Sequence, residues 1–183
     1  MLANLRALFG VIVDIILLRR GPESVPASTA LLVFSIALNL AVMALMISLW
    51  PKPPEGWSLQ LAVGAAVTLL CFHLAFTVAR KRERFTQTMT AIFGAGAVFA
   101  PALVPVLGAV LPTLENADKT VSPPFALSLL CSLLGFWLLT VQARIVRAAF
   151  EWPWGAAIAF MVGQELLGSI IYVVLFAVPK APV

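Results

Sequence analysis

The chain has 183 residues, of which 62% are hydrophobic and 11% charged, and its mean hydropathy is +1.04. A soluble domain is nearer half apolar and a quarter charged, so this composition argues against a soluble fold and predicts an integral membrane protein. The net charge of +4 does not indicate nucleic-acid binding, because the basic residues alternate from one connection to the next as in a membrane topology.

Residues 2–18 are apolar but short for a membrane span, and they include Arg6 and Asp14. On a helical wheel Arg6, Gly10 and Asp14 share one side, which predicts an amphipathic helix lying in the membrane interface. A cleavable signal peptide is the competing interpretation. Asp14 argues against it, because it interrupts the apolar stretch, and two arginines follow directly.

Five further apolar stretches are long enough to cross a bilayer, which takes about 20 residues. The predicted spans are residues 27–50, 57–78, 91–111, 125–142 and 153–178. Together with the amino-terminal helix they predict an all-α membrane domain, a polytopic helix bundle that covers residues 1–183. Pro101 and Pro105 are expected to kink the third span and to free backbone carbonyls.

Basic residues are distributed unevenly between the two sides of these spans. Nine lie in the amino-terminal segment and in the second-to-third and fourth-to-fifth connections, against three (Lys52, Lys119 and Lys180) on the other side. The positive-inside rule then places the amino terminus in the cytoplasm and the carboxyl terminus outside. Five spans agree with that parity.

The last span carries one acid, Glu165, near its middle. A carboxylate at bilayer depth costs about 2.5–3.5 kcal/mol on insertion scales, so such a residue rarely lacks a role. The structural interpretation is a protonated acid that hydrogen-bonds to a neighbouring helix. Two functional interpretations stay open beside it: proton or ion handling, and a polar contact with a partner subunit.

Counting residues from the span ends places Asn39, Ser132 and Glu165 near the bilayer midplane, at about 1.5 Å per residue. We predict that they form a polar layer beside the carbonyl freed by Pro101, which would satisfy the acid without a counter-charge. His73, the only histidine, lies shallower. We expect it to be a neutral imidazole near the headgroups rather than a ligand or a proton relay.

Small residues recur at spacings of four on two spans. They are Gly96 and Ala100 in the third span, and Gly155, Ala159 and Gly163 in the fifth. Such ridges let another helix backbone approach closely, so both are predicted helix-packing surfaces. The ridge of the fifth span lies roughly opposite Glu165. Packing on both faces would make this helix central in the bundle.

The densest basic run follows the second span and consists of Arg80, Lys81, Arg82 and Arg84. It is typical of a positive-inside anchor, and it is also a candidate contact for anionic lipid headgroups. The sequence has no phosphate-binding glycine loop, no metal-ligand motif, no nucleophile elbow and no paired acids. We therefore expect neither an enzyme nor a bound cofactor or metal. The two cysteines, Cys71 and Cys131, are expected to be free thiols.

The stretch RFTQTMTAIFGAGAVFAP, residues 84–101, and the helices after it resemble small bacterial inner-membrane proteins of the Yip1-like group. The resemblance covers the chain from about Arg20 onward. The Asp-Leu-Tyr-Gly-Pro signature of the eukaryotic members is absent, and only Gly21-Pro22 corresponds to it. The resemblance implies a cytosolic amino terminus, five spans and a scaffold or partner-binding role.

We therefore predict a non-enzymatic inner-membrane protein, a scaffold, accessory subunit or partner-binding protein of a membrane assembly. Its expected partners are the lipid bilayer and another membrane protein or a second copy of the chain, and not nucleic acid. The small-residue ridges support this prediction. The alternative is a small transporter or proton-coupled permease that uses Glu165.

Overall fold

The computed structural model describes residues 2–50, 53–115 and 124–176. It contains six α-helices: α1 (Leu2–Ile16), α2 (Thr29–Ser48), α3 (Trp57–Val78), α4 (Phe85–Glu115), α5 (Phe125–Phe150) and α6 (Trp154–Phe176). Two short 3₁₀ turns, Pro22–Ser24 and Arg82–Arg84, precede α2 and α4. No strand occurs in these ranges, which confirms the predicted all-α helix bundle.

Five of the helices, α2 to α6, are long and apolar enough to cross a bilayer, as an integral, multi-pass membrane protein requires. The third span was predicted to begin at residue 91, but α4 begins at Phe85 and continues through both Pro101 and Pro105. The predicted end of the last span at residue 178, and the connections that carry Lys52, Lys119 and Lys180, lie outside the described ranges.

The fourth span was predicted to end at residue 142, but α5 continues to Phe150. The added two turns are amphipathic: Ile145 and Ala149 are buried, whereas Arg147 is exposed and lies 5.3 Å from the centre of the Trp154 ring. Burial of this face stabilises the extension of α5, which could not be predicted from the basic residues in this segment. The residue after the helix, Glu151, adopts a left-handed conformation with φ 59° and ψ 32° and caps α5.

Three of the connections meet at one end of the bundle. Lys81 Nζ, between α3 and α4, lies 2.9 Å from Glu151 Oε2, between α5 and α6. The Gln87 amide at the start of α4 donates to the Val25 carbonyl before α2, at 2.8 Å. We call this end, which carries residues 80–84 and 144–147, the basic end. The basic connections therefore lie together at one end of the bundle, as the alternation of basic residues along the chain predicts.

We call the opposite end, where α2 turns into α3, the far end. There the Trp50 indole N–H donates to the Val104 carbonyl of α4 at 3.2 Å. The indole lies against Gly108, where an added Cβ atom would come within 2.5 Å of Trp50 Nε1. The glycine thus allows α2 and α4 to close together at this end.

The central helix of the bundle is α4, which packs against α1, α2, α3 and α5. Every residue from 88 to 95 is buried. A Cβ atom at Gly94 would lie 2.7 Å from Ile12 Cδ1, and one at Gly96 would lie 2.6 Å from Asn39 Nδ2. The predicted packing surface at Gly96 and Ala100 is therefore occupied, by α2 of the same chain.

The last helix, α6, is peripheral. It would have been central only if both its Glu165 face and its small-residue face were packed, and the small-residue face is not. It packs against α3 and α5 through Ala157, Met161 and Gln164. The small ridge Gly155, Ala159 and Gly163 is exposed on the opposite face, and among the described residues no atom lies within 4 Å of a Cβ placed at either glycine. Larger side chains reach the neighbouring helices from the other face, so the ridge stays outside.

The amino-terminal helix α1 buries Leu8, Ile12 and Ile15, opposite the polar side that carries Arg6 and Asp14. At its carboxyl-terminal end the Arg20 guanidinium pairs with the Asp14 carboxylate at 3.1 Å. A small cavity of about 180 Å³ lies where α1, α2 and α4 meet. Its lining residues are Leu8, Phe9, Ile12, Phe34, Ser35, Leu38, Gly94 and Val98. Because Leu8 reaches the level of Val98, α1 runs alongside α4. Its position relative to the membrane surface stays a prediction.

An aromatic cluster forms the core at the basic end. The rings of Phe76 and Phe150 are stacked with their centres 4.2 Å apart, and the Trp152 ring stacks on Phe150 at 4.4 Å. Phe72 meets Phe160 edge-on at 5.1 Å. These contacts join α3, α5 and α6. Aromatic pairs of this geometry contribute about 0.5–1.5 kcal/mol each beyond their burial.

Candidate functional site

A central cavity of about 290 Å³ lies among all five apolar helices, toward the far end from the aromatic cluster. A cleft of about 410 Å³ between α3 and α6 adjoins it and shares five of its lining residues. The cavity wall is mostly apolar. Its polar lining residues are Asn39, Gln60, Thr68, Gln142, Gln164 and Glu165.

Gln164 fixes α6 against α3 beside this cavity. Its side chain is 9% exposed, and its amide donates to Thr68 Oγ1 at 3.2 Å. A hydrogen bond of this kind between membrane helices contributes about 0.6 kcal/mol on average. Glu165 follows in the chain and is rotated by about 100°, which brings it to the edge where both the cavity and the cleft begin.

Three polar side chains on the cavity have no partner within the part of the chain that the structure describes. They are the amides of Asn39 and Gln142 and the carboxyl of Glu165, none of which makes a hydrogen bond or ion pair there. Glu165 is exposed, and its exposed surface faces the cavity and the cleft. Polar groups at this depth are stable only if water, a ligand or a partner satisfies them.

The charge of the cavity is one-sided. Glu165 is its only acid, and no lysine, arginine or histidine is found among the described residues that line it. In the same ranges no three His, Cys, Asp or Glu side chains lie together as they would around a metal ion. The arrangement offers one carboxyl group with several amide and hydroxyl groups around it. It can accept hydrogen bonds from a cation or a donor-rich group.

The structure brings together two members of the predicted midplane layer and separates the third. Asn39 and Glu165 line the same cavity. Ser132 is exposed on α5, and its hydroxyl donates to the Ser128 carbonyl of its own helix at 2.9 Å. Its inclusion in the layer is wrong because depth along a helix does not fix the direction in which a side chain points.

Sequence reasoning missed Gln142 and Gln164 as site residues, although a signal for them exists. Every Asn or Gln within the predicted spans lies on this one cavity: Asn39, Gln60, Gln142 and Gln164. An amide is costly in lipid, so amides in different spans tend to share one enclosed space. Taken together, the four would have indicated an internal polar site.

The basic run at residues 80–84 divides into two pairs. Lys81 Nζ donates to the Phe150 carbonyl at 3.0 Å, and Arg84 Nη1 donates to the Ala149 carbonyl at 3.2 Å. Both cations also pair with Glu151, at 2.9 and 2.7 Å. They thus neutralise the carbonyl end of α5, where the helix dipole favours positive charge.

Glu151 was not singled out from the sequence, yet it connects these two cations. Hydrogen bonds from Lys81 and then Arg84 hold the pKa of the Glu151 carboxyl below its ordinary value of 4.5. The other two members of the run, Arg80 and Arg82, are exposed, and Arg82 Nε donates to Thr77 Oγ1 at 3.2 Å. Of the four predicted contacts for anionic lipid, only Arg80 and Arg82 direct their charge outward.

Neither the histidine nor either cysteine lines the central cavity. His73 is exposed on α3, with its ring edge-on to Phe85 at 5.7 Å, and it does not line the cavity. Cys71 and Cys131 are both free thiols, as predicted.

Comparison of this chain with protein-family models, with curated proteins and with solved structures finds no match. The Yip1-like resemblance therefore stays an expectation from the sequence. The function has to be argued from the residues and their geometry.

Proposed function

We propose that this chain is a non-enzymatic protein of the bacterial cytoplasmic membrane that binds another membrane protein through the outer face of α6, as a scaffold or an accessory subunit. The observation that carries the proposal is the exposed small-residue ridge Gly155, Ala159 and Gly163. Another membrane protein, as the Yip1-like resemblance of this chain leads us to expect, or a second copy of the chain would dock there.

Helices associate in lipid through close backbone packing, since lipid tails are as apolar as leucine and provide no hydrophobic drive. Small residues at spacings of four allow that approach. Here Gly155 and Ala159 are exposed on the outer face of α6, and Gly163 at the end of the ridge also borders a groove toward α3. The same face continues as Leu166 and Ile170, which are 59% and 60% exposed. A partner helix would therefore find about four turns of contact surface.

The orientation in this proposal follows from the charges. Eight of the twelve lysines and arginines lie in or beside the connections at the basic end, so we place that end in the cytoplasm and the far end in the periplasm. Arg80 and Arg82 then lie at the inner leaflet, where anionic headgroups attract exposed cations with about 1 kcal/mol per residue.

The test is gentle extraction of the tagged protein from its native membrane, followed by mass spectrometry of what stays bound. Gly163→Leu is expected to release a partner that the unaltered chain retains. Gly135→Leu is the matched control, because Gly135 on α5 also has no atom within 4 Å of an added Cβ. Retention of every partner by the Gly163→Leu variant would refute the proposal.

The second candidate is a small transporter or proton-coupled permease, which the central cavity favours. A carboxyl without a protein partner, facing a space between five helices, is a suitable group for carrying a proton or a cation. This candidate predicts that Glu165→Gln abolishes a pH-dependent uptake while the protein still folds. Unchanged uptake in that variant would eliminate it.

A further inference from the structure

We propose that the central cavity binds the ammonium group of a lipophilic amine, with Glu165 as its counter-charge and the cleft between α3 and α6 as the path for its apolar tail. This site is separate from the ridge on the outer face of α6. It does not depend on partner binding, and it names the substrate class that the transporter candidate would require.

The cation is inferred from what the cavity lacks. An ionised carboxyl at this depth requires a positive charge beside it, and no basic side chain lines the cavity in the described ranges. An ammonium group carries a positive charge and up to three donors. The Glu165 carboxylate and the amide oxygens of Asn39 and Gln142, which have no protein partner there, are acceptors for those donors.

The same charges select against other head groups. A phosphate or carboxylate on the ligand would meet Glu165 without a compensating cation in the cavity wall. Zwitterionic phospholipids are disfavoured for that reason, although their ammonium would fit. A neutral alcohol could hydrogen-bond to the amides but would leave the carboxylate without a counter-charge.

The cleft supplies a place for the tail. Its walls carry Val63, Val67 and Val173, and two glycines, Gly64 and Gly168, widen it on opposite sides. No atom lies within 4 Å of a Cβ placed at either glycine, within the described residues. A cavity of about 290 Å³ with an adjoining cleft of about 410 Å³ is of the size that ordinary small-molecule sites have.

The experiment measures saturable binding of radiolabelled decylamine to the full chain in lipid nanodiscs, with empty nanodiscs subtracted. Decylamine is protonated at neutral pH, as a lysine side chain is. Decanol and decanoate, which have the same tail length, serve as competitors. We expect one saturable site per chain, from which unlabelled decylamine displaces the probe at least tenfold better than either competitor.

Two variants locate the site. Glu165→Gln removes the counter-charge and is expected to weaken binding at least tenfold. Gly64→Leu fills the cleft while keeping the Glu165 carboxyl, and it is expected to abolish binding even if Glu165→Gln folds poorly. Ala159→Leu, on the opposite face of α6, is the control that should bind decylamine normally, although it should lose any partner held by the ridge.

The proposal is overturned if the unaltered chain shows no saturable binding, or if decanol or decanoate displaces decylamine as well as the amine does. It is also overturned if Gly64→Leu binds normally. None of these results bears on whether Gly163→Leu releases a partner protein, so the failure of this inference and the failure of the proposed partner binding are distinguishable.

Discussion

The two halves of the bundle are packed in opposite ways. At the basic end α1, α3, α4 and α5 enclose large buried side chains, among them Phe72, Phe76, Met89, Ile145 and Val146. Toward the far end the interior instead holds the cavity, and exposed apolar side chains such as Leu59, Phe125 and Val174 face the lipid, as Val78 does at the basic end. The cavity extends from Ile92 and Gln142 in the middle of the bundle toward the far end, with Gln60 near the start of α3 as its outermost polar residue.

This contrast shows how a membrane protein can be rigid at one end and open at the other. Lipid solvates exposed apolar side chains as well as a protein core does, so the far half needs no tight packing to be stable. The dense half holds the helices together. The open half is then free to keep a polar cavity around Glu165.

The largest expected effect is in the dense half. Phe76 is 1% exposed and its ring contacts Phe72, Phe85 and Phe150, so Phe76→Ala should lower the free energy of unfolding by about 3–5 kcal/mol. Phe136→Ala is the matched control, because Phe136 is 70% exposed in the open half and should cost less than about 1 kcal/mol. Reversible unfolding in mixed micelles measures the free energy of unfolding of both variants. Equal losses would contradict the difference in packing between the two halves.

The second prediction concerns the contact between Trp50 and Gly108, which holds the end of α2 against α4 at the far end of the bundle. Gly108→Ala places a methyl group within 2.5–2.8 Å of the rigid Trp50 indole and should displace its hydrogen bond to Val104. We expect a loss of about 1–3 kcal/mol. Gly135→Ala, where nothing lies within 4 Å, should be neutral or slightly stabilising. The same unfolding measurement, with Trp50 fluorescence as a local probe, separates the two.

Much of this architecture could be predicted from the sequence. The number of helices follows from the length of the apolar stretches, and the alternation of the connections follows from the arginines and lysines. The shared depth of Asn39 and Glu165 was also predicted, because helical rise alone gives depth. The depth of a residue does not determine the direction in which its side chain points. For this reason Ser132 was wrongly included in the layer.

Other features required the tertiary contacts. The extension of α5 depends on the burial of Ile145 and Ala149 against other helices, which the neighbouring arginines concealed. Small-residue ridges mark where a helix can pack, but not whether the partner belongs to the same chain. Gly96 packs against α2, whereas no atom of the described residues lies within 4 Å of a Cβ atom placed at Gly163.

A third prediction separates the two pairs in the basic run. Lys81→Gln should lower stability by about 0.3–1 kcal/mol, because the cation at the carbonyl end of α5 is lost. Arg82→Gln should leave stability unchanged and instead weaken binding to vesicles that contain anionic lipid, relative to neutral vesicles. If Arg82→Gln destabilised the fold as much as Lys81→Gln, the assignment of the two pairs would be wrong.

The smallest predicted effect is a pH dependence at Glu151. Its pKa is lower in the folded protein than the ordinary value of 4.5, so its contribution to stability is present above that value. The contribution is lost as the pH falls through the folded pKa. Stability should therefore decline below about pH 4.5, and Glu151→Gln should flatten that part of the profile.

The most direct test of the contrast between the halves is thiol labelling in native membranes. In a background without Cys71 and Cys131, Gly64→Cys places one thiol on the cavity, and Ala143→Cys places one in the dense half, where Ala143 is 0% exposed. N-ethylmaleimide reacts with the thiolate, which needs contact with water. The account predicts rapid labelling at residue 64 and protection at residue 143. Protection at residue 64, or equal labelling at both positions, would contradict it.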